Sequence, residues 1–284
     1  MIRLGTILHI VPGTTDISNG MVVVANLLVK EHGNAQVVDL EQGLGALASS
    51  DVDEIWVHGM WLPKEWVVCR RALQFGKRLV RMTHGSLSPV YLKHQSPWKK
   101  RLVSPIEKWL LRHADKIVAT CEAEAEWIRD YESRVKQIDI IDLKRFFKLP
   151  TETIKPRQAH NFLFLGREHP LKGIEYLRAA VVNIPNIELR IVSQAFGDEK
   201  ESAWQWADVV VLPTLSENFG LVIAEALERR KRVIATDGAP AWGDGNDYGG
   251  RLFYLKGYIN ADIVTKIEML KSSIQNVRDI ICRY

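Results

Sequence analysis

Cysteine is scarce: three residues, Cys69, Cys121 and Cys282, stand far apart in a chain of 284 with no CxxC pair. Neither a disulfide framework nor a zinc site is supported by that spacing, and a reducing, cytoplasmic compartment is expected. Long apolar runs are lacking as well. The longest stretch without a formal charge, Ile17–Val29, has 13 residues, short of the roughly 18 that a membrane-spanning helix needs. Met1-Ile2-Arg3-Leu4-Gly5 runs at once into a strand-like segment, so no secretory leader is expected. There is no low-complexity tract and no short repeat. With 46% hydrophobic and 25% charged residues the composition excludes a disordered or fibrous chain, and the length suggests two lobes.

Charge is unevenly placed. Residues 1–150 carry 21 basic and 17 acidic side chains, residues 151–284 carry 17 of each, and Lys64–Lys116 alone holds 13 basic residues against Glu65, Glu107 and Asp115. A local basic surface fits this better than a general affinity for polyanions. No recognised nucleic-acid motif accompanies it, so nucleic acid is not expected as a partner.

Short apolar runs alternate with amphipathic stretches along the chain. Strands are expected at Leu4–Val11, Gln36–Leu40, Glu54–His58, Arg78–Thr83, Lys116–Thr120 and Val135–Ile141, with helices at Met21–Glu31, Pro63–Gln74, Trp98–His113 and Glu122–Tyr131. The pattern lapses from Asp142 to His160, which has two prolines and no sustained period, and resumes afterwards. Strands are then expected at Asn161–Leu165, Glu188–Val192, Asp208–Leu212, Arg232–Thr236 and Leu252–Leu255, and helices at Lys172–Val182, Gly220–Arg230 and Asp262–Ile281. Strands separated by helices imply parallel sheets buried on both faces. The fold class is α/β, with two doubly wound Rossmann-like domains, 1–150 and 151–284, facing across a cleft. The last helix is expected to return toward the first domain.

Ligands of such sheets bind at loops beyond the carboxyl ends of the strands. Two of these loops carry chemistry. In Leu212-Pro213-Thr214-Leu215-Ser216-Glu217-Asn218-Phe219-Gly220-Leu221-Val222-Ile223-Ala224-Glu225 a buried strand ends in a polar turn that opens a helix. Main-chain N–H groups near Phe219–Val222 are left unpaired there, a site suited to a phosphate. Glu225, about one and a half turns in, can accept from paired hydroxyls, and its apolar neighbours make a merely solvated role a poor account. In Phe164-Leu165-Gly166-Arg167-Glu168-His169-Pro170-Leu171-Lys172-Gly173 two cations bracket a strand-end loop and can clamp a diphosphate, although a solvated turn explains that pair equally well.

Together these stretches, Gly166–Gly173 and Pro213–Glu225, resemble the retaining GT-B glycosyltransferases of family GT4. His84-Gly85-Ser86-Leu87-Ser88-Pro89, Trp98-Lys99-Lys100-Arg101 and Ala114–Glu126 are similar to the members that build lipopolysaccharide and capsular glycans, and Val233–Trp242 matches the family's next strand and donor-side loop. The resemblance implies the following roles. Arg167 and Lys172 hold the donor's diphosphate, Glu225 bonds the ribose, and Glu217 faces the transferred sugar. The backbone of Asn218, Phe219, Gly220 and Leu221 meets the sugar and distal phosphate, with Gly166 opening the cationic loop. His84 reaches from the first domain toward the donor sugar, against the plainer reading of a histidine bonded to a strand-end turn. Gly20 matches a glycine-rich first loop that often has two glycines where this chain has Asn19-Gly20.

The expected reaction is retaining transfer from a UDP-, GDP- or ADP-linked sugar to a lipopolysaccharide, capsular or other lipid-linked glycan acceptor. Cationic groups and a helix start would neutralise the leaving diphosphate without a metal or other cofactor. A sugar-nucleotide epimerase of the same fold and a catalytically silent partner subunit are the rival readings. Lys93–Arg112 mixes cations with Trp98, Trp109 and leucines. It can dock on an anionic membrane surface, giving a peripheral position at the inner face, or be an ordinary amphipathic helix whose apolar stripe is core.

Overall fold

The computed structural model describes residues 5–13, 20–94, 96–155, 157–193, 195 and 197–279. The chain divides between Leu143 and Lys144 into two compact units.

The first unit alternates strands and helices in the order β1 (Thr6–Val11), α1 (Gly20–His32), β2 (Ala35–Asp39), α2 (Leu40–Ala46), β3 (Val52–His58), α3 (Pro63–Gln74) and β4 (Arg78–Met82). It continues through α4 (Pro89–His94), α5 (Pro97–His113), β5 (Lys116–Ala119), α6 (Glu122–Tyr131) and β6 (Ile138–Ile140). The six strands pair in parallel as β2-β1-β3-β4-β5-β6. Leu8, Ile10, Ile55, Val57 and Leu79 are fully buried, as strands covered on both faces require.

The second unit comprises β7 (Asn161–Leu165), α7 (Ile174–Val181), β8 (Glu188–Val192), α8 (Gly197–Trp206), β9 (Val209–Leu212), α9 (Leu221–Glu228), β10 (Arg232–Thr236), β11 (Leu252–Leu255) and α10 (Ile263–Arg278). Its five strands are also parallel, in the order β11-β10-β9-β7-β8. The helix α10 packs on α7 of the same unit.

Several elements differ from the sequence expectation for local reasons. Two glycines obscure the period of α2, which the Asp39 carboxylate starts by accepting from the N–H groups of Glu41 and Gln42 at 2.8 Å each. Gly43 lets this helix lie against β1, since a Cβ there would come within 2.6 Å of Ile10. The helix expected from Lys172 begins instead at Ile174. Pro170–Lys172 forms a 3₁₀ turn, and Gly173 (φ +67°) breaks the helical path between the two. β6 is three residues long rather than seven because only Ile138–Ile140 pair with β5. Gly197–Trp206, with its charged Asp198-Glu199-Lys200-Glu201 opening, is the helix α8 and buries Ala203 and Trp204.

Charged side chains also enter the first core. Arg81 of β4 and Glu107 of α5 are both fully buried and 3.4 Å apart. Arg81 Nη2 donates to Gly59 O at 2.9 Å, while Glu107 Oε1 accepts from Trp61 N at 2.6 Å and Trp66 Nε1 at 2.7 Å. These bonds turn Glu107, Leu110 and Leu111 inward and fix which face of α5 meets the sheet. The basic excess of Lys64–Lys116 is therefore not all surface, because Arg81 and Lys100 are buried.

His9 of β1 and His58 of β3 are likewise buried, with His9 Nδ1 2.9 Å from His58 Nε2. Burial pushes His9 down to about 3 and holds His58 well below the usual imidazole range, so both fold as neutral rings. The unfolded chain takes up these protons below about pH 6.5, and the native state does not. Each ring thus removes about 1.4 kcal/mol of stability per pH unit as the pH falls below that value. Glu65, raised to about 7 by burial, binds its proton in the folded state first and offsets one ring over about pH 7 to 4.5. The expected net result is a melting temperature that falls steadily from pH 7 to pH 5. Calorimetry across that range checks it, and a flat profile would refute the neutral-core assignment.

Candidate active site

In the second unit the carboxyl ends of β7, β9 and β10 are neighbours, and three loops leave them side by side. The loop after β9, residues 213–220, lies between the other two. On one side Thr214 Oγ1 and Leu215 N both donate to Leu171 O, at 2.9 and 2.8 Å. On the other, Glu217 N donates to Gly238 O at 2.8 Å and Thr236 Oγ1 to Thr214 O at 2.5 Å. The approach is too close for side chains: a Cβ on Gly173 would lie 2.1 Å from Pro213 O, and one on Gly238 2.1 Å from Thr214 O. Trp242 Nε1 donates to Phe219 O at 2.5 Å, and the two rings pack 5.3 Å apart, anchoring the far end of the loop.

This packing brings together two residues 45 positions apart. Lys172 Nζ forms an ion pair with a carboxylate oxygen of Glu217, both side chains being mostly buried. Gly220 (φ +74°) then caps α9 without any side-chain hydrogen bond, and the N–H groups of Leu221 and Val222 have no partner among the described residues. The start of α9 is accordingly a patch of unmet donors beside the Lys172–Glu217 pair. Glu225 lies in the second turn of the same helix, only partly exposed, and Lys200 Nζ of α8 sits 3.2 and 2.9 Å from its two carboxylate oxygens. Lys200 is a charge partner that the spacing around Glu225 did not reveal, because it comes from a different helix. Gly166 leaves β7 at φ +150°, and Arg167 follows it exposed on the loop. Lys172 and Glu217 are thus brought together, Glu225 in the second turn of α9 pairs separately with Lys200, Arg167 stands exposed on its loop, and Asn218 and Phe219 lie in the loop that opens α9. A recess of about 510 Å³ lined by Leu149–Thr151, Thr153 and residues 246–250 contains none of them.

In the first unit His84 follows β4 in the left-handed region (φ +50°). A buried carboxylate holds the chain on both sides of it: Glu124 Oε1 accepts from Thr83 Oγ1 and Gly85 N at 2.7 Å each. The other oxygen of Glu124 accepts from Thr120 N at 2.8 Å and Thr120 Oγ1 at 2.9 Å. His84 Nε2 lies 2.8 Å from Nδ1 of His58, and burial pushes His84 down to about 3. Neither Glu124 nor His58 was singled out from the sequence, since each is tied to His84 only through the folded sheet. Gly20 is the exposed first residue of α1, and Asn19 before it lies outside the described residues.

Among the described residues no group of three or more His, Cys, Asp or Glu side chains could hold a metal ion. The Asp-x-Asp triplet Asp51-Val52-Asp53 stands at the amino-terminal start of β3, away from the carboxyl ends where ligands bind. Cys69 and Cys121 are free thiols, and Cys282 lies outside the described residues.

Two domain-family models match the chain: a glycosyl transferase 4-like domain over residues 19–143 and a glycosyl transferases group 1 domain over residues 154–256. No curated protein sequence matches it. Among solved structures it is similar to sucrose-phosphate synthase from Thermosynechococcus elongatus, at a TM-score of 0.63 and 16% identity over 96% of this chain and 93% of that one. HepE from Anabaena, solved in complex with UDP, gives a TM-score of 0.61 and 14% identity over 97% and 91% of the two chains. The lipopolysaccharide outer core galactosyltransferase WaaB gives 0.57 and 13% over 97% and 96%. With two all-parallel α/β units, and with both halves matched by these domain families, the chain belongs to the GT-B glycosyltransferases of the GT4 type.

Proposed function

We propose that this transferase moves a sugar, with retention of configuration, from a nucleotide-diphosphate donor to a lipopolysaccharide, capsular or other lipid-linked glycan. The observation that carries the reading is the Lys172–Glu217 pair set beside the uncapped start of α9, with Glu225 one turn further along. Breaking the glycosidic bond puts negative charge on the leaving diphosphate and positive character on the sugar. The Lys172 ammonium, the Arg167 guanidinium and the N–H groups of Leu221 and Val222 are suited to the first. The Glu217 carboxylate, held in place by Lys172, is suited to the second. In the absence of donor the pair keeps both charges compensated, so neither needs an outside counter-ion. Glu225 is assigned to the ribose hydroxyls, and His84, of the first unit, to the transferred sugar. The domain roles follow: nucleotide sugar on 151–284 and acceptor on 1–150. The UDP of the HepE complex and the lipopolysaccharide chemistry named for WaaB support this donor and acceptor class.

Donor chemistry built on fixed cations and helix dipoles works without a metal, and we assign none. Lys172→Ala and Glu217→Ala are each expected to lower turnover at least about tenfold without unfolding the protein. The check is nucleotide release from a panel of UDP-, GDP- and ADP-sugars, with and without lipid-linked glycan acceptors. Unchanged turnover in both variants would overturn the site assignment. Isomerised donor formed without acceptor would favour an epimerase.

The acceptor class calls for a membrane-facing surface, and α5 supports one. Trp98 (65% exposed), Leu102 (74%), Ile106 (43%) and Trp109 form a stripe at helical spacing that faces solvent, opposite the buried Glu107, Leu110 and Leu111. Lys99 and Arg101 lie exposed beside it, and Lys93 extends the charge onto α4. An apolar stripe flanked by cations matches the interface of an anionic leaflet. No helix among the described residues is long and apolar enough to cross a membrane, so the association we propose is peripheral, at the cytoplasmic face. Sedimentation with vesicles containing anionic lipid is expected to retain the protein, to lose it in high salt, and to lose it in Leu102→Glu. Binding that is absent, or unaffected by salt, would reject docking through this helix.

A further inference from the structure

Four histidines of the first unit form one hydrogen-bonded series. His84 Nε2 lies 2.8 Å from His58 Nδ1, His58 Nε2 lies 2.9 Å from His9 Nδ1, and His9 Nε2 lies 3.1 Å from His32 Nδ1. The rings come from separate elements: the loop after β4, the end of β3, the middle of β1 and the last turn of α1. Neighbouring ring centroids are 5.1 to 5.2 Å apart. Trp56 walls the series, stacked on His9 at 4.9 Å and set against His32 at 5.0 Å. The inner two rings are fully buried and the series ends at half-exposed His32.

The pattern of contacts constrains the protons. Every link joins an Nε2 to an Nδ1, never like to like. A neutral imidazole has one N–H and one lone pair. If His84 donates from Nε2, then His58 and His9 must donate from Nε2 as well. If it accepts there, all donate from Nδ1. Any break in direction sets two N–H groups or two lone pairs face to face, and a buried group then loses its hydrogen bond. Only two arrangements satisfy every link. Burial also disfavours the charged rings, pushing His9 and His84 down to about 3 and His58 well below its ordinary value. Glu124 meanwhile fixes the backbone on both sides of His84. His84 Nδ1 is left without a partner among the described residues.

We infer that His58, His9 and His32 are positioning residues that hold His84 neutral and lock its tautomer to theirs, so that its Nδ1 changes hydrogen-bonding character only if the whole series reverses together. The inference rests on the reading of His84 as the group that meets the transferred sugar. An imidazole that must orient one hydroxyl loses effectiveness when it spends time in the wrong tautomer.

The test uses the whole protein labelled with ¹⁵N-histidine, and long-range nitrogen–proton spectra at pH 7 read the tautomer of each ring without any substrate. The expected result is one in-register state, with His84, His58 and His9 all Nε2–H or all Nδ1–H. In His58→Asn, His84 is expected to populate both tautomers, and kcat to fall about tenfold with little change in the donor KM. His32→Gln, at the half-exposed end, reads the same coupling with less risk to folding, and a smaller kcat loss is expected. Rings found out of register with one another, or a cationic His84 in the unmodified protein, would overturn the inference. So would variants that scramble the tautomer of His84 yet keep full kcat. Failure to detect transfer with any donor would defeat the functional reading, while the spectra would still decide the proton order.

Discussion

Two contacts between glycine and a carbonyl group set the geometry of the second unit's site. Pro213 O and Thr214 O each occupy space that a Cβ on Gly173 or Gly238 would claim. Only because those side chains are missing can the loop after β9 sink between its neighbours and bond to both. Everything chemical there follows from that depth. It carries Glu217 to Lys172, leaves the start of α9 uncapped, and presents Glu225 on the next turn.

The first unit reaches a comparable result through buried polar groups instead of close backbone contact. Glu124 satisfies four donors from three residues that flank the β4 and β5 ends, and thereby makes the left-handed backbone at His84 tolerable. Arg81 and Glu107 do the same for α5, committing one face to the sheet and so leaving the tryptophan-bearing stripe outside. A buried ion pair of this kind is weak evidence for stability, and what these two side chains do here is bond Gly59, Trp61 and Trp66. In both units, polar groups that are costly to bury are placed where a loop or a helix must adopt one arrangement.

Much of the architecture was legible before any coordinates. Buried strands such as Val209–Leu212 announce themselves as continuous apolar runs, because a parallel sheet covered on both faces tolerates little else. The helices that the period does not reveal, α2, α4 and α8, are short, and glycine, proline or charge interrupts their pattern. The pattern starts α7 two residues early because Gly173, which reads as a neutral member of a helical run, is left-handed and lies against the backbone of Pro213, 40 positions away, where no Cβ would fit.

For the candidate site, spacing along the chain offered Arg167, Lys172, Glu217 and Glu225, since strand ends, turn residues and the Glu217–Glu225 interval are local features, while His84 and Gly20 came from the family resemblance. Tertiary structure decided who partners whom. Lys172 with Glu217, Lys200 with Glu225, Glu124 with the backbone of His84, and the series from His84 to His32 all join residues that only strand order and helix packing bring within hydrogen-bonding reach. The physical reason is range. Propensity and periodicity act over a few neighbouring residues, whereas a hydrogen bond or ion pair needs atoms within about 3 to 4 Å, a condition that the sequence order of distant residues does not encode.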